Sequence, residues 1–277
     1  MKFTIYDTAE EFSKDALHIL NRNEIQNNLF YRNIADGMFL ASVKDSNGNV
    51  IITIANKPLF AFLMYETDNI RNDEAVAFLA QSLFDNHIDV DMVSTEKALG
   101  RSFCGYYGKL SNKNYYISES LVLYAIDKVN DIAEANGVFR KARGGDMYYL
   151  PYWFADFSPA CGLGDYDLDD GIEVANRAIE NGTVYLWEDN YPVSMAANTR
   201  NTSDCAFIAR VYTPPNLRAN GYGTACVWNL TKKLLEDGYK YCALYANCAN
   251  PYSNKVYQKI GYEQVFWYDQ YKLSVRK

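Results

Sequence analysis

Along this chain apolar residues recur first at helical spacing and then in strand alternation, and the two periods trade places repeatedly. Thr8-Ala9-Glu10-Glu11 has the form of a capping box, and Phe12, Ala16 and Leu20 follow on one face, so a helix is expected as far as Leu20. A second, polar-rich helix is expected over 24–35. Residues 39–43 and 50–54 are β-branched and aromatic runs separated by Asp45-Ser46-Asn47-Gly48-Asn49, the chemistry of a hairpin turn. A further strand follows over 59–64. Val76, Leu79, Ala80 and Leu83 mark a helix over 73–84, and another is expected over 95–107. Residues 115–126 alternate as a long strand. The glycines of this half, at 37, 48, 100, 105 and 108, do not form a phosphate-binding loop after a strand.

The segment 127–146 is a shift in composition, rich in Gly and in basic residues, and it places a boundary between a domain over 1–130 and one over 137–277. Residues 138–142 read as the first strand of the second domain, with Arg140, Lys141 and Arg143 on a solvated face. The aromatics of 146–157 read as a helix at the edge of a core. An acidic loop over 162–170 leads into a helix capped by Asp169 or Asp170, which runs to Asn181 with Gly182 just past its end. Residues 183–187 and 193–199 form a second hairpin across Glu188-Asp189-Asn190, and 205–213 adds a third strand. The pattern then changes to strand, helix, strand, helix, strand. Three antiparallel strands followed by parallel connectivity predict an α/β (α+β) fold with one mixed, mostly antiparallel sheet flanked by helices. The two hairpins give the halves a faint internal echo.

Composition narrows the function. The chain has 277 residues with 49% hydrophobic content, enough for two cores. A net charge of −7 argues against a nucleic-acid partner. No stretch approaches the ~18 apolar residues that cross a bilayer, and the N-terminus turns charged at once, so a cytoplasmic location is expected. The six cysteines include no C-x-x-C pair, which leaves neither a disulfide framework nor a metal site in view. They read as core thiols, with Cys248 the exception in a loop. Both histidines, His18 and His87, lie in the first third and read as surface or half-buried residues. Acid–base chemistry in the second half therefore falls to Tyr, Asp, Glu, Cys or water.

The stretch from Cys205 to Tyr262 carries the chemistry. Pro214 and Pro215 stop the strand from pairing, which frees main-chain groups of 211–213 for an extended ligand. Gly221 and Gly223 let N–H groups approach an anion where a helix begins, and Arg218 can add a charge-assisted bond. No Lys-Ser/Thr pair follows, so this is not a nucleotide-hydrolysing loop. Downstream, Asn250 can cap a short helix with Pro251 at its first position, and Gly261 ends it. Ser253, Asn254 and Tyr257 lie on one side of that helix.

Arg218-Ala219-Asn220-Gly221-Tyr222-Gly223, after Val211-Tyr212-Thr213-Pro214-Pro215, resembles the acetyl-CoA loop of the GNAT superfamily of N-acetyltransferases. Asn250-Pro251, Ser253-Asn254, Tyr257 and Gly261-Tyr262 resemble that family's second motif, in the family's order. The resemblance extends from about residue 183 to 262. The first half looks like the degenerate GNAT-like domain that some bacterial members carry, without the loop. The resemblance implies that main-chain groups of Val211, Tyr212 and Thr213 hold the pantetheine arm. Arg218, Ala219, Asn220, Gly221, Tyr222, Gly223 and Thr224 would hold the pyrophosphate. Asn250, Ser253 and Asn254 would contact the cofactor near its thiol end, and Tyr257 would be the general acid. No metal is implied. The partners implied are acetyl-CoA and an amine acceptor, with Glu173, Glu188 and Asp204 left open as the base. The alternative is a non-catalytic acyl-CoA sensor or interaction module. The acceptor, the acyl-chain preference and the oligomeric state are not legible in the sequence.

Overall fold

The structure, a computed structural model, describes residues 1–36, 39–56, 61–67, 72–133, 135–161 and 167–275. The chain separates into two units. One comprises Met1–Leu123 with Phe266–Lys277, and the other Tyr124–Val265. The residues from 266 onward thus return to the first unit, whereas the sequence placed them in the second domain.

The first unit opens with β1 (Lys2–Tyr6), α1 (Ala9–Leu20) and α2 (Asn28–Ala35). It continues with β2 (Phe39–Lys44), β3 (Val50–Asn56), β4 (Phe62–Glu66), α3 (Asp73–Asp85), β5 (Met92–Thr95), α4 (Lys97–Leu110) and β6 (Lys113–Ile126). The last strand of the chain, β12 (Glu263–Val275), enters this sheet between β5 and β6. The order is β1-β2-β3-β4-β5-β12-β6. The pairs β1–β2, β2–β3, β3–β4 and β5–β12 are antiparallel, and β4–β5 is parallel. Both faces are covered. Strand alternation sends Phe62 and Met64 toward the α3–α4 core, and Leu63 and Tyr65 toward the α1–α2 core.

Local chemistry explains the helix ends. Thr8 Oγ1 accepts the Glu11 N–H at 3.2 Å and starts α1 as expected. The second helix begins later than its polar pattern implied. Asn21–Asn23 form a 3₁₀ turn, and the Asn27 amide donates to Leu20 O, so side chain–main chain bonding displaces the first helical turn. β1 and the four-residue β5 had no counterpart in the sequence reading. Residues 57–60 and 68–71 lie outside the described residues, so the start of the strand expected at 59 is not placed. Both histidines are exposed.

The second unit contains β7 (Val138–Lys141), α5 (Leu150–Ala160), α6 (Leu168–Glu180), β8 (Val184–Asp189) and β9 (Tyr191–Asn198). After these come β10 (Cys205–Tyr212), α7 (Tyr222–Glu236), β11 (Tyr241–Asn247) and α8 (Pro251–Ile260). The order is β7-β8-β9-β10-β11, and the end of β6 lies beside β11. β10 and β11 are parallel, and the pairs from β7 to β10 are antiparallel. Leu150, Trp153, Phe154 and Ala175 of α5 and α6 pack on Val184, Leu186 and Met195. α7 packs on β8, β9 and β10. Where α5 and α6 cross, a Cβ on Gly171 would fall 2.2 Å from Pro151 O, so only glycine allows this approach.

Three sequence expectations change here. The α6 cap is Asp167, whose carboxylate accepts the Asp170 N–H at 2.9 Å while Asp170 reciprocates at 3.2 Å. Cys161 is exposed, as Cys248 is, and the other four thiols are buried. Arg140 is not on a solvated face. It grips Asp146 through two bonds of 2.7 and 2.8 Å and also pairs with Glu188.

Asp146 is only 3% exposed. Burial alone would raise its carboxyl pKa. The Arg140 guanidinium and the Arg143 N–H outweigh burial and hold it below its usual value. Its contribution to stability is therefore present above the unfolded carboxylate pKa and lost as pH falls through the folded one. Asp146→Ala leaves Arg140 with a single carboxylate partner and should cost about 3–5 kcal/mol at pH 7. Denaturant titration at pH 7 and pH 3 should show that penalty shrinking at the lower pH.

Candidate active site

The site begins where β10 and β11 part. They pair only from Cys205↔Tyr241 to Phe207↔Ala243. Beyond that point β10 stays with β9, through a bulge. Ala209 faces Ala197 and Tyr212 faces Met195, so β10 carries one extra residue. Arg210 sits there at φ +53° with its guanidinium carbon 5.1 Å from the Phe154 ring centroid. A bulge leaves the extra residue's main-chain groups outside the ladder. Val211 thus lies in the bulge, past the point where β11 leaves β10.

Side chains fix the end of β10. Ser194 Oγ is 3.0 Å from Tyr212 O and 2.9 Å from Thr213 Oγ1. A carbonyl only accepts, so Ser194 donates to Tyr212 O and Thr213 donates to Ser194. The Tyr212 phenol donates to Asp156 Oδ2 at 3.1 Å, and burial, aided by that carboxylate, pushes its pKa up to about 12. Only the main chain of Tyr212 is therefore available to a ligand in the divergence.

The loop that follows is shaped for an anion. Arg218 Nε donates to Thr213 O at 3.0 Å, which occupies a carbonyl expected to serve the ligand and anchors the guanidinium beside the loop. The Asn220 amide donates to Leu217 O and Arg218 O. Ala219 and Gly221 take φ +66° and +80°, and α7 starts immediately afterwards. Gly221 offers no capping side chain, and the first turn holds no acid. The N–H groups of Tyr222, Gly223 and Thr224 thus belong to a helix start without a side-chain cap, where an anion is favoured. A Cβ on Gly223 would lie 3.1 Å from Thr213 Oγ1, so glycine keeps the loop close to the strand end. The Tyr222 phenol is turned to Asp189 Oδ2, at 2.8 Å.

α8 closes the other side. Asn250 Oδ1 accepts the Ser253 N–H at 3.1 Å, Pro251 takes the first position, and Gly261 ends the helix at φ +114°. The Asn254 side chain bonds within the protein on both its amide and its carbonyl. Its amide donates to Asn247 O and Asn250 O, at 3.0 and 2.7 Å, and its carbonyl accepts the Tyr124 hydroxyl at 2.9 Å. It ties α8 to β11 and β6. Tyr257 is 7% exposed, with its ring 5.9 Å from that of Tyr124 and 6.1 Å from that of Tyr262. Its hydroxyl makes no hydrogen bond among the described residues. Burial, with smaller effects from Cys161 and Tyr124, raises its pKa and keeps the phenol protonated.

The sequence reading passed over Tyr124, Asp156 and Ser194, because each acts through a partner distant in the chain. The three carboxylates it left open as a base are all in ion pairs: Glu173 with Arg177, Glu188 with Arg140, Asp204 with Lys240. Asp204 directly precedes β10, at the end opposite the bulge. Of the aromatics at 148–154, Trp153 and Phe154 are buried, whereas Tyr148 and Tyr152 are exposed. Among the described residues no cluster of metal-ligating side chains occurs, and no helix is long and apolar enough to cross a membrane.

Residues 149–262 match the model of the acetyltransferase (GNAT) family. This stretch is a GNAT domain. It takes in the α5–α6 pair, the diverging strands, the α7 loop and α8. No curated protein sequence matches the chain. Among solved structures, the chain is similar to a GCN5-related N-acetyltransferase from Sphaerobacter thermophilus. The TM-score is 0.69 at 12% identity, over 99% of this chain and 96% of that one. It is also similar to a GNAT-family acetyltransferase from Colwellia psychrerythraea, with TM-score 0.63, 12% identity and 100% of both chains covered. A tandem GNAT protein from the clavulanic acid biosynthesis pathway matches with TM-score 0.59 and 12% identity, over 99% and 98% of the two chains. The two-domain GNAT fold expected from the sequence is the fold observed, with a mixed, mostly antiparallel sheet in each unit. Acyl transfer from acetyl-CoA is the chemistry of the family.

The bonding of Asn254 gives a stability test of the GNAT domain's second motif. Asn254→Ala removes three hydrogen bonds and strips Tyr124 of an acceptor. It should lower unfolding free energy by about 1–3 kcal/mol. Tyr124→Phe, which leaves the α8 bonds in place, should cost less; chemical denaturation of both variants checks the order.

Proposed function

We propose that the GNAT domain is an N-acetyltransferase, moving acetyl from acetyl-CoA to a small-molecule amine by direct attack. The observation that carries this reading is the uncapped start of α7 set beside the bulged end of β10, where β11 has left the ladder. Main-chain groups of Val211, Tyr212 and Thr213 would lie along the pantetheine arm as a neighbouring strand would. The N–H groups from Gly221 to Thr224, with Arg218, Ala219 and Asn220 shaping the approach, would meet the pyrophosphate. Asn250, Ser253 and Asn254 frame the thiol end, with Asn254 acting through the position it gives to α8.

In the reaction the acceptor nitrogen forms a bond to the acetyl carbon as the carbon–sulfur bond breaks. A main-chain N–H at the bulge, near Val211, would bond to the carbonyl oxygen as negative charge develops on it. Tyr257 would give its phenolic proton to the departing sulfur, and solvent would restore it. Its raised pKa suits that role, because the group stays protonated at neutral pH. The proton lost by the amine goes to a base or water.

Tyr257→Phe keeps the ring contacts with Tyr124 and Tyr262 and removes only the hydroxyl. Turnover, followed by thiol release across an amine panel, should fall about 10²-fold or more, while acetyl-CoA affinity by calorimetry stays within about twofold. Undiminished turnover would remove Tyr257 as the acid. Acetyl-CoA binding without thiol release for any amine would favour the alternative, an acyl-CoA sensor.

A further inference from the structure

One helix runs alongside the site of the GNAT domain from the bulge to the phenol. α5 packs on β10. The Trp153 ring lies 6.2 Å from the Tyr212 ring, and the Arg210 guanidinium carbon lies 5.1 Å from the Phe154 ring centroid. At the other end of α5, the Cys161 thiol is close enough to help raise the Tyr257 pKa. The acetyl carbonyl belongs at the first of these points and the sulfur at the second, so the reacting carbon belongs between them.

A carboxylate hangs from α5 in that interval. Asp156 is exposed. A helix rises about 1.5 Å per residue, which puts Asp156 about 7.5 Å along the axis from Cys161. Its Oδ2 accepts the Tyr212 phenol at 3.1 Å. Tyr212 directly follows Val211, so one side chain ties this carboxylate to the main chain at the bulge. A carboxylate has about four acceptor positions, of which Tyr212 takes one. The two cations of this strand end, Arg210 and Arg218, lie on the Phe154 ring and against Thr213 O. Tyr152, also exposed, stands one helical turn before Asp156 on the same face. An aromatic ring beside a carboxylate suits an amine with an apolar or aromatic body.

We propose that Asp156 receives the acceptor: it accepts a hydrogen bond from the attacking nitrogen and takes the proton that nitrogen gives up. This rests on the acetyl-transfer reading of the GNAT domain. As the carbon–nitrogen bond forms and the carbon–sulfur bond breaks, one proton passes from nitrogen to Asp156. Tyr257 gives another to sulfur, and solvent restores both groups. The nitrogen becomes acidic once it is bonded to the acetyl carbon, which lets a carboxylate take its proton. Amines that carry a carboxylate next to the nitrogen are poor acceptors, because that group meets Asp156 with like charge.

The test follows thiol release by the full chain with 2-phenylethylamine and with L-phenylalanine, which adds a carboxylate next to the amine. Wild-type kcat/KM should be about tenfold or more higher for 2-phenylethylamine. Asp156→Asn keeps an oxygen for the Tyr212 hydroxyl and removes the charge. It should lower kcat/KM for 2-phenylethylamine about tenfold or more and shrink the preference over L-phenylalanine, with acetyl-CoA affinity within about twofold. Tyr212→Phe removes the hydrogen bond and keeps the charge, so it should cost less than Asp156→Asn; a purely structural bond reverses that order. Equal use of both amines by the wild type, or no reaction of 2-phenylethylamine while other amines react, overturns the assignment of Asp156. So does a larger loss in Tyr212→Phe than in Asp156→Asn. Each of these leaves acetyl transfer standing, whereas acetyl-CoA binding without thiol release for any amine removes both. If Asp156→Asn does not fold, the wild-type preference between the two amines decides.

Discussion

The second unit depends on a single limit: one strand cannot serve two neighbours along its whole length. β10 is parallel to β11 on one side and antiparallel to β9 on the other. After Phe207 it keeps only the second partner, and the bulge at Arg210 turns it away from the first. Main-chain polar groups removed from a ladder must find other partners, because leaving them buried and unpaired is costly. A ligand with amides of its own meets that need. The Pro214–Pro215 pair makes the break permanent, since neither residue can donate to a ladder.

Around this break most polar side chains serve the scaffold. Tyr222, Asn250, Asn254, Arg218 and Ser194 all bond to other parts of the chain. The bulge and the first turn of α7 offer main chain instead. Recognition built on main-chain N–H groups tolerates wide changes in side chain. That fits a GNAT domain whose structural neighbours share its fold at only about one residue in eight, 12% identity. Tyr257 differs from these residues because its hydroxyl has no partner among the described residues, although its ring is packed on two sides.

Local signals in the sequence were reliable where the cause is local. Thr8 and Asn250 cap helices because their side chains reach an N–H three residues on, and Gly221 and Gly261 adopt left-handed conformations at helix ends. Both hairpins follow from turn chemistry. What was not legible depends on distant partners. β5 has four residues and too little pattern to stand out, and the role of Tyr124 exists only because β6 passes α8. Arg140 looked solvated because nothing in its neighbourhood announces that Glu188 will pair across from it.

β12 has a consequence for how the polypeptide matures. Residues 266–275 fill the gap between β5 and β6, where Asp269 meets Thr95 and the Tyr271 hydroxyl donates to Lys97 O. Synthesis runs from the N-terminus, and domains generally fold as units as they emerge. Here the earlier-made unit lacks an interior strand until the ribosome has passed the whole GNAT domain. Until then β5 and β6 each have an unfilled edge, and the order of completion is the reverse of the order of translation.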